Sequence, residues 1–101
     1  MINEPTTLHI LSNAPGKLDL NYFLLRCTVT DSIILTGDAC YGIDRFNKAL
    51  SEDTQLPRLF ILSIDAEQRG VELKACNSLI ECIDLEGLVN LSLNHQTVIH
   101  W

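Results

Sequence analysis

The sequence predicts a single three-layer α/β domain built on a mainly parallel sheet of four to five strands. Three observations predict it. Short continuous apolar runs, Ser32-Ile33-Ile34-Leu35-Thr36 and Leu59-Phe60-Ile61-Leu62-Ser63, lack the alternation of a half-exposed strand and fit strands buried on both faces. They alternate with segments whose apolar residues recur at helical spacing, which implies right-handed βαβ crossovers with helices on both faces of the sheet. The length, 101 residues, suits one core and leaves no room for a second domain.

Each element follows in order. Leu8-His9-Ile10-Leu11 is a first strand, ended by Ser12-Asn13-Ala14-Pro15-Gly16, where proline and glycine stop continuation. Leu18, Leu20, Phe23, Leu24 and Cys27 share one face of a first helix with Asp19 as its cap. Ser32–Thr36 is the second strand, and Tyr41, Ile43, Phe46 and Leu50 space out a helix over 39–50. Pro57 precedes the third strand, and a helical turn over 65–69 closes at Gly70. A fourth strand runs over 78–83. Asp84 caps a helix over 84–94 that turns Leu85, Leu88, Val89 and Leu93 inward, and 96–100 adds a short fifth strand. Residues 1–6 read as a flexible leader ahead of a domain spanning 7–101. The tail, ending in Val98-Ile99-His100-Trp101, is apolar enough to be docked, with its tryptophan at an interface.

Composition narrows the function classes. Hydrophobic residues make up 47% of the chain and charged ones 20%, enough for an aliphatic core without disulfide or metal support. The net charge of -6 and a pI near 4.8 argue against direct nucleic-acid binding or an anionic membrane, both of which need clustered Lys and Arg. No signal peptide opens the chain and no apolar run reaches the ~20 residues of a bilayer span, so the expected compartment is the cytoplasm. There the four cysteines, Cys27, Cys40, Cys76 and Cys82, are expected as free thiols.

Four segments together carry a family likeness: Leu8-His9-x-Leu11-x-x-Ala14-Pro15, Asp38-x-x-Tyr41, Asp65-x-x-x-Arg69-Gly70, and the tail from Ile83-Asp84 through Val89-x-Leu91, His95 and Trp101. From Leu8 onward the chain resembles the TusB/DsrH family of sulfur-relay subunits. The resemblance implies a flavodoxin-like (DsrEFH-like) cytosolic domain. Its implied partners are two homologous subunits, TusC/DsrF-like and TusD/DsrE-like, in a dimer of heterotrimers. It also implies indirect work with TusA-like and TusE/DsrC-like sulfur carriers, toward 2-thiouridine at the tRNA wobble position or, in a related branch, sulfur oxidation. The transferring cysteine of such complexes lies on the TusD/DsrE-like subunit, so this chain is expected to be a noncatalytic subunit without a cofactor. It departs from the family's Asp-Gly-aliphatic-Tyr-Ala at Asp38-Ala39-Cys40-Tyr41-Gly42.

Among individual residues, Cys40 is the weak catalytic candidate. It falls where a strand hands over to a helix, and a helix N-terminus favours the thiolate, whereas Asp38 nearby disfavours it. A stand-alone thiol sulfurtransferase using Cys40 is therefore the alternative reading. Cys27 and Cys82 read as buried small hydrophobes, and Cys76 reads as a loop residue. Cys76-x5-Cys82 does not match a structural zinc pattern, so no metal is expected. None of the histidines is spaced as part of a triad. Tyr41, His95 and Trp101 are the interface candidates, the aromatics because they bury large area while keeping a polar handle. Asp38 and Asp65 follow strands at the edge where α/β sheets place ligands, but no phosphate loop accompanies them, and capping or loop ordering is the favoured role. A small ligand-binding module at those two strand ends is a third reading.

Overall fold

The apolar runs become strands β1 (Thr7–Leu11), β2 (Ser32–Leu35), β3 (Arg58–Leu62), β4 (Ile80–Ile83) and β5 (Thr97–His100) in a computed structural model. The structure describes residues 6–52, 55–72 and 79–101; Cys76 and most of the expected leader lie outside them. All pairings are parallel, in the spatial order β4-β3-β2-β1-β5. The three-layer parallel α/β arrangement is thus present. The strand order, 4-3-2-1-5, differs from the 2-1-3-4-5 order of flavodoxin itself.

The helices are α1 (Leu20–Leu25), α2 (Ile43–Glu52), α3 (Ser63–Gln68) and α4 (Leu85–Asn94). Asp19 and Asp84 cap α1 and α4 as their positions predict, accepting from the backbone N–H groups of Tyr22 and Gly87 at 3.1 and 2.8 Å. Because side chains alternate across a strand, the sheet has two cores. Leu11, Ile33, Leu35, Leu59, Ile61 and Ile80 face α1, α2 and α3 through Phe23, Phe46 and Ala66. Leu8, Ile34, Phe60 and Leu62 face α4 through Leu88 and Leu91. The single strand order explains this split: β1 to β4 progress in one direction, placing three right-handed crossovers on one face, and the return to β5 puts α4 on the other.

Several local expectations are corrected. The segment after β2 begins as a 3₁₀ helix over Gly37–Gly42 before α2 starts. Gly37 has φ +50, a left-handed conformation glycine adopts without strain. In α4 the inward residues are Leu88 and Leu91, whereas Leu85, Val89 and Leu93 are 57%, 56% and 77% exposed. Val89 and Leu93 follow Leu85 at four-residue steps, one outward face. Cys82, expected buried, is exposed on edge strand β4. Among the described residues no helix is long and apolar enough to cross a membrane.

Candidate functional site

The parallel register brings His9, in the middle of β1, beside Ile33 of β2 and Ile99 of β5. A histidine here interrupts an otherwise apolar layer, and it is 3% exposed. Burying its two ring nitrogens requires two partners. Trp101 follows β5 and donates its indole Nε1–H to His9 Nδ1 at 3.0 Å, while His9 Nε2 meets Asp31 Oδ2 at 2.8 Å. An indole only donates, so Nδ1 must accept and the ring proton sits on Nε2, directed at Asp31.

Asp31 is also buried and fully engaged. Its Oδ1 accepts from Thr7 N–H at 3.3 Å and the Thr28 hydroxyl at 2.9 Å, and its Oδ2 accepts from Thr28 N–H at 3.2 Å besides His9. Burial pushes its carboxyl up, but the hydrogen bonds from His9 and Thr28 outweigh that and hold it below the ordinary carboxylate value. Phe23 closes the group from α1, edge-on to His9 at 5.4 Å and to Trp101 at 5.0 Å between ring centres. Cys27, just past α1, completes it: the ligating atoms of His9, Cys27 and Asp31 all lie within 4.8 Å of one another. A cavity of about 720 Å³ opens alongside, lined in part by His9, Arg26, Thr28, Asp31, Ile99 and Trp101.

The residues singled out from the sequence are distributed differently. Cys40 is 0% exposed, its thiol directed at the Leu35 carbonyl at 3.6 Å. Burial, aided by Asp65, pushes that thiol up to about 11, the opposite of thiolate activation. Asp65 accepts from Gly37 N–H at 2.7 Å and ties the turn after β2 to α3. Asp38 pairs with Arg69 Nε at 2.9 Å on the surface. Tyr41 is 55% exposed. His95 spends both ring nitrogens within the chain, on the Leu91 carbonyl at 2.6 Å and the Ser32 hydroxyl at 2.9 Å. Trp101 is held inward by His9 and Phe23, so the docked tail of the sequence reading is present but its indole N–H is not free for a partner.

The group of His9, Cys27, Asp31 and Trp101 was not visible as a motif. Its members stand at positions 9, 27, 31 and 101, and the one available signal was a histidine inside an apolar strand.

The family model described as "DsrH like protein" matches residues 14–98. The chain belongs to the DsrH-like family. That membership makes it a subunit of the sulfur-relay kind, and the α/β architecture agrees. Among solved structures, the ychN protein from E. coli is similar over 97% of this chain and 100% of its own, with 12% identity and a TM-score of 0.66; at that identity the likeness is one of fold. No curated protein matches the sequence.

Proposed function

We propose that this DsrH-like chain is the noncatalytic, TusB-like subunit of a TusBCD-type sulfurtransferase. In that role it supports relay of persulfide sulfur toward 2-thiouridine at the tRNA wobble position. Its partners are TusC/DsrF-like and TusD/DsrE-like homologues in a dimer of heterotrimers, served by TusA-like and TusE/DsrC-like carriers, in the cytoplasm. The observation that carries the noncatalytic part is Cys40: a sulfur carrier must present a thiolate to another protein, and this thiol is sealed from solvent and pushed up to about 11. The assembly part draws on the outward row Leu85, Val89 and Leu93, on edge strand β5 and on Tyr41. Uncovered apolar rows and open strand edges are features that subunit contacts bury.

The test is co-expression with TusC-like and TusD-like proteins from the same organism, followed by size exclusion with light scattering. The proposal expects a stoichiometric three-component assembly that Leu93→Glu and Tyr41→Ala weaken. It expects Cys40→Ser to leave sulfur transfer by the assembled complex in place. A chain that stays alone, or a complex whose transfer disappears with Cys40→Ser, would overturn it.

A further inference from the structure

The cluster of His9, Cys27 and Asp31 supplies none of the contact surface invoked for assembly, and its chemistry is that of a ligand set. We propose that His9 Nε2, Cys27 Sγ and a carboxylate oxygen of Asp31 form a capture site for a divalent cation of the zinc class, and that loading it releases the indole of Trp101. One nitrogen, one sulfur and one oxygen ligand is a donor set that zinc accepts, and three protein ligands leave a fourth position for water. The atoms already lie within 4.8 Å of one another, and the adjoining cavity of about 720 Å³ reaches both His9 and Asp31. That cavity supplies an entry path and the fourth ligand. Two of the ligands, His9 on β1 and Asp31 in the connection just before β2, are 3% and 6% exposed, so neither is a loose surface group.

Charge suits the location. A divalent ion with one thiolate, one carboxylate and one neutral imidazole sums to zero, the condition under which a buried ionic group is tolerated. Arg26, the cation among the described residues that line the cavity, keeps its charge and donates to the Tyr22 hydroxyl at 2.9 Å. The proton balance is definite. Burial and then Asp31 push the Cys27 thiol up to about 12, and it donates to the Phe23 carbonyl at 3.5 Å, so the ion itself must displace that proton to solvent as the S–metal bond forms. Asp31 is already ionised, and His9 exchanges its Nε2 proton for one on Nδ1 with no net change.

That exchange couples the ion to the tail. Once Nδ1 carries a proton it cannot accept from the indole, and the His9–Trp101 hydrogen bond of 3.0 Å becomes donor against donor. Trp101 is the chain's one tryptophan, so its fluorescence reports the event directly.

The experiment titrates Co²⁺ and Zn²⁺ into the reduced full chain, following bound metal, thiolate-to-cobalt charge-transfer absorption and Trp101 emission. The expected result is one ion per chain, a thiolate band lost in Cys27→Ser and kept in Cys82→Ser, and an emission change that saturates with the metal. Cys27 is only half buried, so Cys27→Ser is expected to retain the wild-type circular dichroism, which checks that loss of binding is not loss of fold. Trp101→Phe, which has no indole donor to displace, should bind several-fold tighter. Failure to retain metal, an unaltered cobalt spectrum in Cys27→Ser, or an emission that stays constant at saturation would each overturn the proposal.

Discussion

Replacing Asp31 by asparagine tests whether the buried network organises this end of the sheet. The four donors that converge on the carboxylate come from the start of β1, from His9 and from Thr28. An asparagine keeps one acceptor oxygen. Placed toward His9 and Thr28 N–H, it leaves its NH₂ facing the Thr7 N–H, although the Thr28 hydroxyl can turn and accept. The opposite placement sets the NH₂ against both His9 Nε2–H and Thr28 N–H, and His9 cannot relieve this by moving its proton because Nδ1 is taken by Trp101. In the better orientation the change loses one hydrogen bond and the charge assistance on three others. Hydrogen bonds to charged groups are worth about 1.5–3 kcal/mol against about 1 for neutral ones, so Asp31→Asn should cost roughly 2–4 kcal/mol. With a urea m-value of about 1–3 kcal/mol/M for a domain of this kind, the unfolding midpoint followed by circular dichroism should fall by about 1–2 M. The pH dependence has a fixed sign. A carboxyl held below its ordinary value of 3.8 contributes stability that is fully present above that value and is lost as pH falls through the lowered one. The gap between wild type and variant should therefore stay constant from neutrality to about pH 4 and shrink only below it. A midpoint shift under about 0.3 M, or a gap that widens on acidification, would refute the reasoning.

Three further outcomes follow from local geometry. Gly87→Ala ordinarily favours a helix by up to ~1 kcal/mol, but here the new Cβ would lie 2.9 Å from Ile83 Cβ; overpacking of about 1–3 kcal/mol wins, and thermal melting should show a lower Tm. Asp65→Ala removes the acceptor for Gly37 N–H and should cost about 1–2 kcal/mol in urea unfolding, whereas Asp38→Ala, which breaks only a surface pair with Arg69, should leave the midpoint unchanged. Trp101→Phe strands the buried Nδ1 of His9 and should cost about 1–3 kcal/mol; truncation to the same extent at exposed Tyr41 should leave the urea midpoint in place.

The layers of the fold were legible because burial on both faces of a parallel sheet writes itself as unbroken apolar runs, as in β2 and β3, and because Asp19 and Asp84 are short acceptors one residue before helical segments. The inward face of α4 was not. Its sequence, Leu-Glu-Gly-Leu-Val-Asn-Leu-Ser-Leu-Asn, is apolar on more than one side, so periodicity alone could not choose Leu88 and Leu91 over Leu85, Val89 and Leu93. The family membership was legible through residues that turn out to be structural. Asp65 and Arg69 hold the turns after β2 and β3, and His95 links α4 to Ser32. The cluster around His9 was invisible because it is assembled by strand order. Only when β5 returns to lie beside β1 does Trp101 meet His9, 92 positions away in sequence.

That return has a consequence for how the outer surface is held. β5 is an edge strand whose four residues are all exposed, and among the described residues it is joined to the sheet through β1 alone. A lone edge strand has little burial to keep it in place. Trp101 supplies what the strand itself lacks: its N–H donates to the Ile10 carbonyl at 2.9 Å, its indole bonds to His9, and its ring packs against Phe23. The edge that faces outward for assembly is therefore fastened from within, by the residue whose partner His9 also belongs to the candidate metal cluster. Any event that places a proton on His9 Nδ1 acts first on Trp101, and through it on the strand at the sheet's margin.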